Sequence, residues 1–222
     1  MSDTMISLIG SLADNKSALG RRYGEWAVSA PTIESAVAAA AMAQDELGHA
    51  RSTYPVLAKL GVERSDSGDL DAGYPLGVIS SELPDWASFI AANLVVDGIL
   101  TTFVAGARDS SIEPLAQRAR KILQEEGAHK VHAEAWARRI GRAGGPDLEL
   151  LVERVEEMWS AAARWPGPDS DPGYRAALAA GMVYLEPAAI RARVRDWLLP
   201  LVPGVSLDEP DDFSDWDAQY RR

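Results

Sequence analysis

A chain of 222 residues, 47% hydrophobic and 25% charged, is long enough for one generous domain and builds a core without staples. A net charge of −11 and a pI near 4.7 exclude a broadly basic nucleic-acid-binding surface. The absence of cysteine excludes disulfides, thiolate metal sites and iron–sulfur ligation, and fits a reducing, cytoplasmic setting.

The segment Met1-Ser2-Asp3-Thr4-Met5 has no basic region followed by a long apolar run, so no signal peptide is expected. No window reads as a membrane span. Residues from about 5 to 28 predict a first helix, with Met5, Leu8, Ile9, Leu12, Leu19, Tyr23 and Trp26 at helical spacing. Pro31 ends it. A second helix follows, with Thr32 as its cap, Glu34 in its first turn and an alanine run from Ala36 to Ala43. It extends to about Leu60, where Gly61 stops it. Residues 61 to 84 read as a long crossing connection marked by Ser65, Ser67, Gly68, Asp69, Asp71, Gly73 and Pro75.

Leu83-Pro84-Asp85-Trp86 opens a third helix to about Arg108, with Phe89, Ile90, Leu94, Val95, Ile99, Leu100 and Phe103 inward. Ser110 or Ser111 is expected to cap a fourth, with Pro114 in its first turn, ending near Ile140 at Gly141 and Gly144-Gly145-Pro146. A fifth amphipathic helix carries Leu148, Leu151, Val152, Val155, Met158 and Trp159, and Trp165-Pro166-Gly167-Pro168 breaks it. Short helices follow near Tyr174 to Leu178 and Pro187 to Leu199. The acidic tail with Phe213, Trp216 and Tyr220 packs on the bundle or on a partner, and Trp216 points to an interface. The expectation is an all-α, single-domain chain: a four-helix bundle over about residues 4–140 and a helical appendix over about 147–222.

Two stretches carry chemistry. In Gln44-Asp45-Glu46-Leu47-Gly48-His49, Glu46 and His49 project from one helical face, and Glu126-Gly127-Ala128-His129 repeats the spacing. Two of the chain's three histidines thus complete a Glu-x-x-His, the ligand pattern of a dinuclear metal site inside a bundle. Counting from the short turns puts Glu46 to His49 level with residues 11 to 16, and Glu126 and His129 level with residues 91 to 97. Asp97 lies there in an apolar run, so it needs either a salt bridge or a metal. Glu125 competes with Glu126 but lacks the three-residue spacing to His129. His132, one turn on, is either an outer support of the site or an interface residue.

The first helix is the anomaly, because a full site would have a glutamate at the height where Lys16 stands. Asp14 has nearly that height but points to another face. Lys16 would repel a dinuclear cation and neutralise Glu46, Asp97 and Glu126. It leaves three readings: a weakened or mononuclear site, a salt bridge in a site that has lost metal, or a carbamylated lysine. Arg118, Arg120, Lys121, Arg138, Arg139 and Arg142 gather positive charge that is either a solvated face or a landing place for an acidic partner or a phosphate-bearing substrate.

These residues resemble a known family, the related catalytic and structural ferritin-like subunits of bacterial phenylacetyl-CoA epoxidase. Asp14-Asn15, Gly24-Glu25-Trp26 and Ala30-Pro31 are similar to the structural subunit, as are Trp159, Gly181, Pro187, Ile190-Arg191 and Trp197. Gln44-Asp45-Glu46-x-Gly48-His49, and Asp97 with Glu126 and His129, resemble the catalytic subunit's ligands. The resemblance implies a ferritin-like bundle. It also implies a site of two irons on Glu46, His49, Asp97, Glu126 and His129, with Lys16 at the sixth position instead of glutamate. By resemblance the catalytic subunit activates dioxygen and epoxidises the ring of an aryl-CoA thioester, while the structural subunit pairs with it and has lost ligands. A separate reductase is implied, since the chain has no Gly-x-Gly-x-x-Gly and no cysteine. Three functions stay open: an iron-bearing component of such a monooxygenase, its non-catalytic structural subunit in a homo- or hetero-oligomer, or a ferritin-like iron oxidase or store.

Overall fold

The computed structural model describes residues 3–64 and 73–222, and every regular element among them is a helix. Four long helices form the bundle: α1 (Asp3–Trp26), α2 (Ile33–Lys59), α4 (Trp86–Gly106) and α5 (Glu113–Ala143). The short α3 (Gly77–Ser80) precedes α4, and α6 (Gly145–Ala162), α7 (Pro172–Ala179) and α8 (Pro187–Leu198) follow the bundle. Ser65, Ser67, Gly68, Asp69 and Asp71 of the crossing connection lie outside the described residues.

The helices start and stop where their chemistry directs. Thr32 accepts a hydrogen bond from the Ser35 amide at 3.1 Å, capping α2, and Gly61 closes it at φ +84. The alanine run lets α1 and α2 approach closely. A Cβ on Gly20 would lie 2.7 Å from the Leu47 side chain and 3.0 Å from the Ala43 carbonyl oxygen. Asp85 caps α4 by accepting from the Ser88 amide at 2.7 Å.

Contrary to the membrane expectation, α4 is long and apolar enough to cross a bilayer. It is instead the core helix of the bundle, with Phe89, Ile90, Leu94, Val95, Ile99, Leu100 and Phe103 all buried. Its residues Ala92–Asp97 wind as π turns, a rare geometry that recurs at functional sites.

The cap of α5 also differs from expectation. Ile112 is the N-cap, because the serine hydroxyls are used elsewhere. Ser110 Oγ accepts from the Ile112 amide and donates to the Met182 carbonyl, and Ser111 Oγ donates to the Ala180 carbonyl. Both tie the α4–α5 turn to the segment after α7. The α5 helix also runs through Gly141 and stops at Gly144, which has φ +65.

The appendix shares the bundle's core. Helix α6 packs on α4 and α3, α7 on α1, and α8 on the second half of α4. Trp165 is fully buried, donates to Ser11 Oγ at 2.9 Å and meets Phe103 edge-on. The tail closes over α1: Ser7 Oγ donates to the carbonyls of Ala218 and Gln219. Trp216 folds onto its own chain against Arg221 and Phe213, rather than standing out.

Candidate functional site

Helices α1, α2, α4 and α5 each send one charged side chain to a common point. Lys16 Nζ lies 3.0 Å from Glu46 Oε1, 2.5 Å from Asp97 Oδ1 and 2.5 Å from Glu126 Oε1, and all four residues are buried. Each Glu-x-x-His adds its imidazole beside its own carboxylate, as helical spacing dictates. His129 Nδ1 is 3.3 Å from Glu46, 3.3 Å from Glu126 and 3.4 Å from Asp97. His49 Nδ1 is 3.4 Å from Glu126 and 3.8 Å from Glu46. Asp97 closes the π turns and is buried within the apolar run Leu94-Val95-Val96-Asp97-Gly98-Ile99.

A second layer crosses between α2 and α5. His49 Nε2 donates to Glu125 at 2.9 Å, and His129 Nε2 lies 3.3 Å from Asp45. The acidic residue just before each Glu-x-x-His therefore holds the imidazole of the other helix. Thr101 Oγ1, one turn after Asp97, donates to its carboxylate at 3.3 Å.

Burial alone would discharge these groups, and their mutual contacts decide otherwise. Burial pulls the Lys16 ammonium down, but Asp97, Glu126 and Glu46 outweigh it and hold it well above its ordinary value. Burial also disfavours charge on both imidazoles. The Glu126 and Glu46 carboxylates beside it nonetheless raise His49 to about 9, and Asp97, Glu126 and Glu46 raise His129 to about 12. Asp97 is pushed up to about 6 by burial and by Glu126 and Glu46. Glu126 is held well below the usual carboxylate range: burial opposes this, but Lys16 and the two histidines prevail. The Lys16 ammonium therefore stays charged among the three carboxylates.

A metal fits this donor set only in outline. Ligand atoms of Glu46, Asp97, Glu126 and His129 all lie within 4.8 Å of one another, a spacing suited to an ion. Lys16 Nζ, however, stands among the three carboxylates and engages one oxygen of each. An ion would also have to displace the proton that the surrounding carboxylates favour on each imidazole. With Lys16 in place the residues do not fit two ions.

Two of the outer residues named from sequence lie elsewhere. Asp14 accepts from Tyr54, Arg64 and the Tyr74 amide on the far side of α1, at 2.9, 2.6 and 3.1 Å. His132 faces Trp86 and Phe89 edge-on and does not reach the carboxylates. Sequence reasoning missed Asp45 and Thr101 as partners of the cluster and weighed Glu125 only as a rival of Glu126, not as a partner of His49. The signal for Asp45 and Glu125 was the acidic residue preceding each motif.

Comparison with known proteins places this geometry. The family model described as Phenylacetic acid catabolic protein matches residues 1–221. The chain belongs to the phenylacetic acid catabolic protein family. Within it, the chain is similar to one subunit of the 1,2-phenylacetyl-CoA epoxidase of Escherichia coli (strain K12), with 26% identity over 157 residues. That stretch covers 68% of this chain and 63% of the relative, so the match spans less than two thirds of the relative's length. The family's helical fold and a buried carboxylate–histidine cluster are both present here.

Proposed function

We propose that this chain is a structural, non-catalytic subunit of a phenylacetyl-CoA epoxidase-type monooxygenase in cytoplasmic aromatic catabolism. It acts as one ferritin-like domain whose bundle and appendix share a core, and it pairs with a related iron-bearing chain served by a separate reductase. The observation that carries the reading is Lys16 Nζ within 2.5–3.0 Å of Glu46, Asp97 and Glu126. An ammonium there does by charge what a metal would otherwise do, holding three buried carboxylates from three helices together. Membership of a phenylacetate family and likeness to an epoxidase subunit support the setting.

A second reading keeps this chain as the iron-bearing component, with Glu46, His49, Asp97, Glu126 and His129 as ligands. The convergence of four donor atoms favours it, and it requires Lys16 to leave. The two readings separate on reconstitution with the catalytic ferritin-like subunit of the epoxidase. The structural reading expects a stoichiometric complex whose iron stays with the catalytic chain when the subunits are parted. Iron retained by this chain overturns it.

A further inference from the structure

The side of α1 that carries Asp14, away from Lys16, borders a cavity of about 760 Å³. Thr4, Ser7, Ser11 and Asp14 line it from α1 at helical spacing, with Asp3 and Ile6 beside them. Leu57 lines it from the end of α2, and Val62 and Arg64 from the segment that follows. Tyr74 and the stretch Ala218-Gln219-Tyr220 complete the walls. The Tyr74 and Tyr220 rings lie against each other with their centres 3.9 Å apart. With Ile6, Leu57 and Val62 they make the walls mainly apolar. A space of this size with mainly apolar walls is what small-molecule sites offer, at about 300–1,000 Å³.

The polar groups around the cavity decide what it takes. Asp14 accepts from Tyr54, Arg64 and the Tyr74 amide, so its charge and that of Arg64 are spent on each other. Ser7 Oγ donates to the Ala218 and Gln219 carbonyls, and Ser11 Oγ to the Tyr220 carbonyl. Gln219 Nε2 donates to the Tyr220 hydroxyl. Asp3 in the wall and Arg222, which lies over the Tyr74 and Tyr220 rings, are both exposed to water and opposite in sign. Among the described residues, then, the walls hold no buried cation left for an anionic ligand and no buried carboxylate left for a cationic one. A charge entering this space would lose its water without gaining a partner.

We infer that this cavity binds an uncharged, predominantly apolar small molecule, at a site separate from the charged cluster. Its apolar body is held by Ile6, Leu57, Val62 and the two tyrosine rings, while the hydrogen bonds of Ser7, Ser11 and Asp14 keep the surrounding walls in place. The inference stands apart from the choice between a structural and an iron-bearing role, because neither role uses these residues.

The test is fluorescence titration of the full-length chain with two probes that share one body. These are uncharged N-phenyl-naphthylamine and its anionic counterpart, anilinonaphthalene sulfonate. The uncharged probe should bind once per chain, about tenfold or more tighter than the anion, with an affinity that salt leaves unchanged. Ile6→Trp and Val62→Trp each put an indole into the cavity. Both positions are only partly buried, so the fold should persist, as circular dichroism checks. Each variant should weaken the uncharged probe about tenfold or more. Val131→Glu, on the exposed aliphatic side of α5, should bind it as wild type does. No binding to wild type, or equal binding to the filled variants, overturns the site. Loss in Val131→Glu puts the probe on α5 and overturns the site as well. An anion that binds wild type as tightly as the uncharged probe overturns the ligand class, and that comparison needs no variant.

Discussion

Lys16 Nζ and Glu126 Oε1 are 2.5 Å apart although they come from the first and the last helix of the bundle. The pair is buried, and removing Lys16 leaves three buried carboxylates with only the two histidines beside them. Lys16→Met should therefore destabilise the protein by about 3–5 kcal/mol, measured by urea denaturation. A loss below about 1 kcal/mol would mean that the ammonium is not what holds the carboxylates together.

The tail makes an independent prediction. Arg221 is buried, and its guanidinium donates to the carbonyl oxygens of Trp165 and Pro166 while stacking on Trp216. Arg221→Ala should cost about 2–4 kcal/mol by the same assay, because two charge-assisted hydrogen bonds disappear. Arg221→Lys should recover only part, since a single ammonium cannot reproduce the fork. Full recovery would show that charge alone suffices.

Asp14 tests whether a buried carboxylate near the site belongs to it. It accepts from Tyr54, Arg64 and the Tyr74 amide and lies away from the cluster. Asp14→Asn should lower stability by about 1–3 kcal/mol and leave the metal behaviour of any Lys16 variant unchanged. An altered metal content would place Asp14 in the site after all.

The pH dependence of stability has a component from His132. Burial, and then the charge on His129, lower its pKa below the ordinary 6.5. The unfolded chain therefore binds the proton more readily, and this contribution is complete above pH 6.5. It is lost as pH falls through the lowered value. Melting temperature should drop between pH 7 and pH 5, and His132→Phe should flatten that part of the curve. An unchanged slope would assign the acid limb to other groups.

Much of the bundle was legible because helical periodicity is local. The apolar stripe of α1 and the Thr32 cap follow from neighbours three and four residues apart. Lys16 could be set at the level of Glu46 from distance to a short turn. What stayed hidden depends on contacts distant in sequence. Ser110 offers a cap, but its hydroxyl goes to Met182, and nothing near Ser110 announces that. The π turns over Ala92–Asp97 are not announced by any residue type in that stretch. Arg221 looks like a solvated terminal arginine until the Trp165-Pro166 loop receives it. The apolar composition of α4 matches that of a membrane helix, and its place at the bundle centre decides otherwise.

The most direct measurement is iron content after anaerobic iron(II) loading and desalting, on wild type and on Lys16→Glu. Wild type should retain no iron above background, because the Lys16 ammonium already engages one oxygen of each of the three carboxylates. Lys16→Glu, which restores a carboxylate and removes the ammonium, should retain iron. Stoichiometric iron in wild type would contradict the account and make this chain the metal-bearing component.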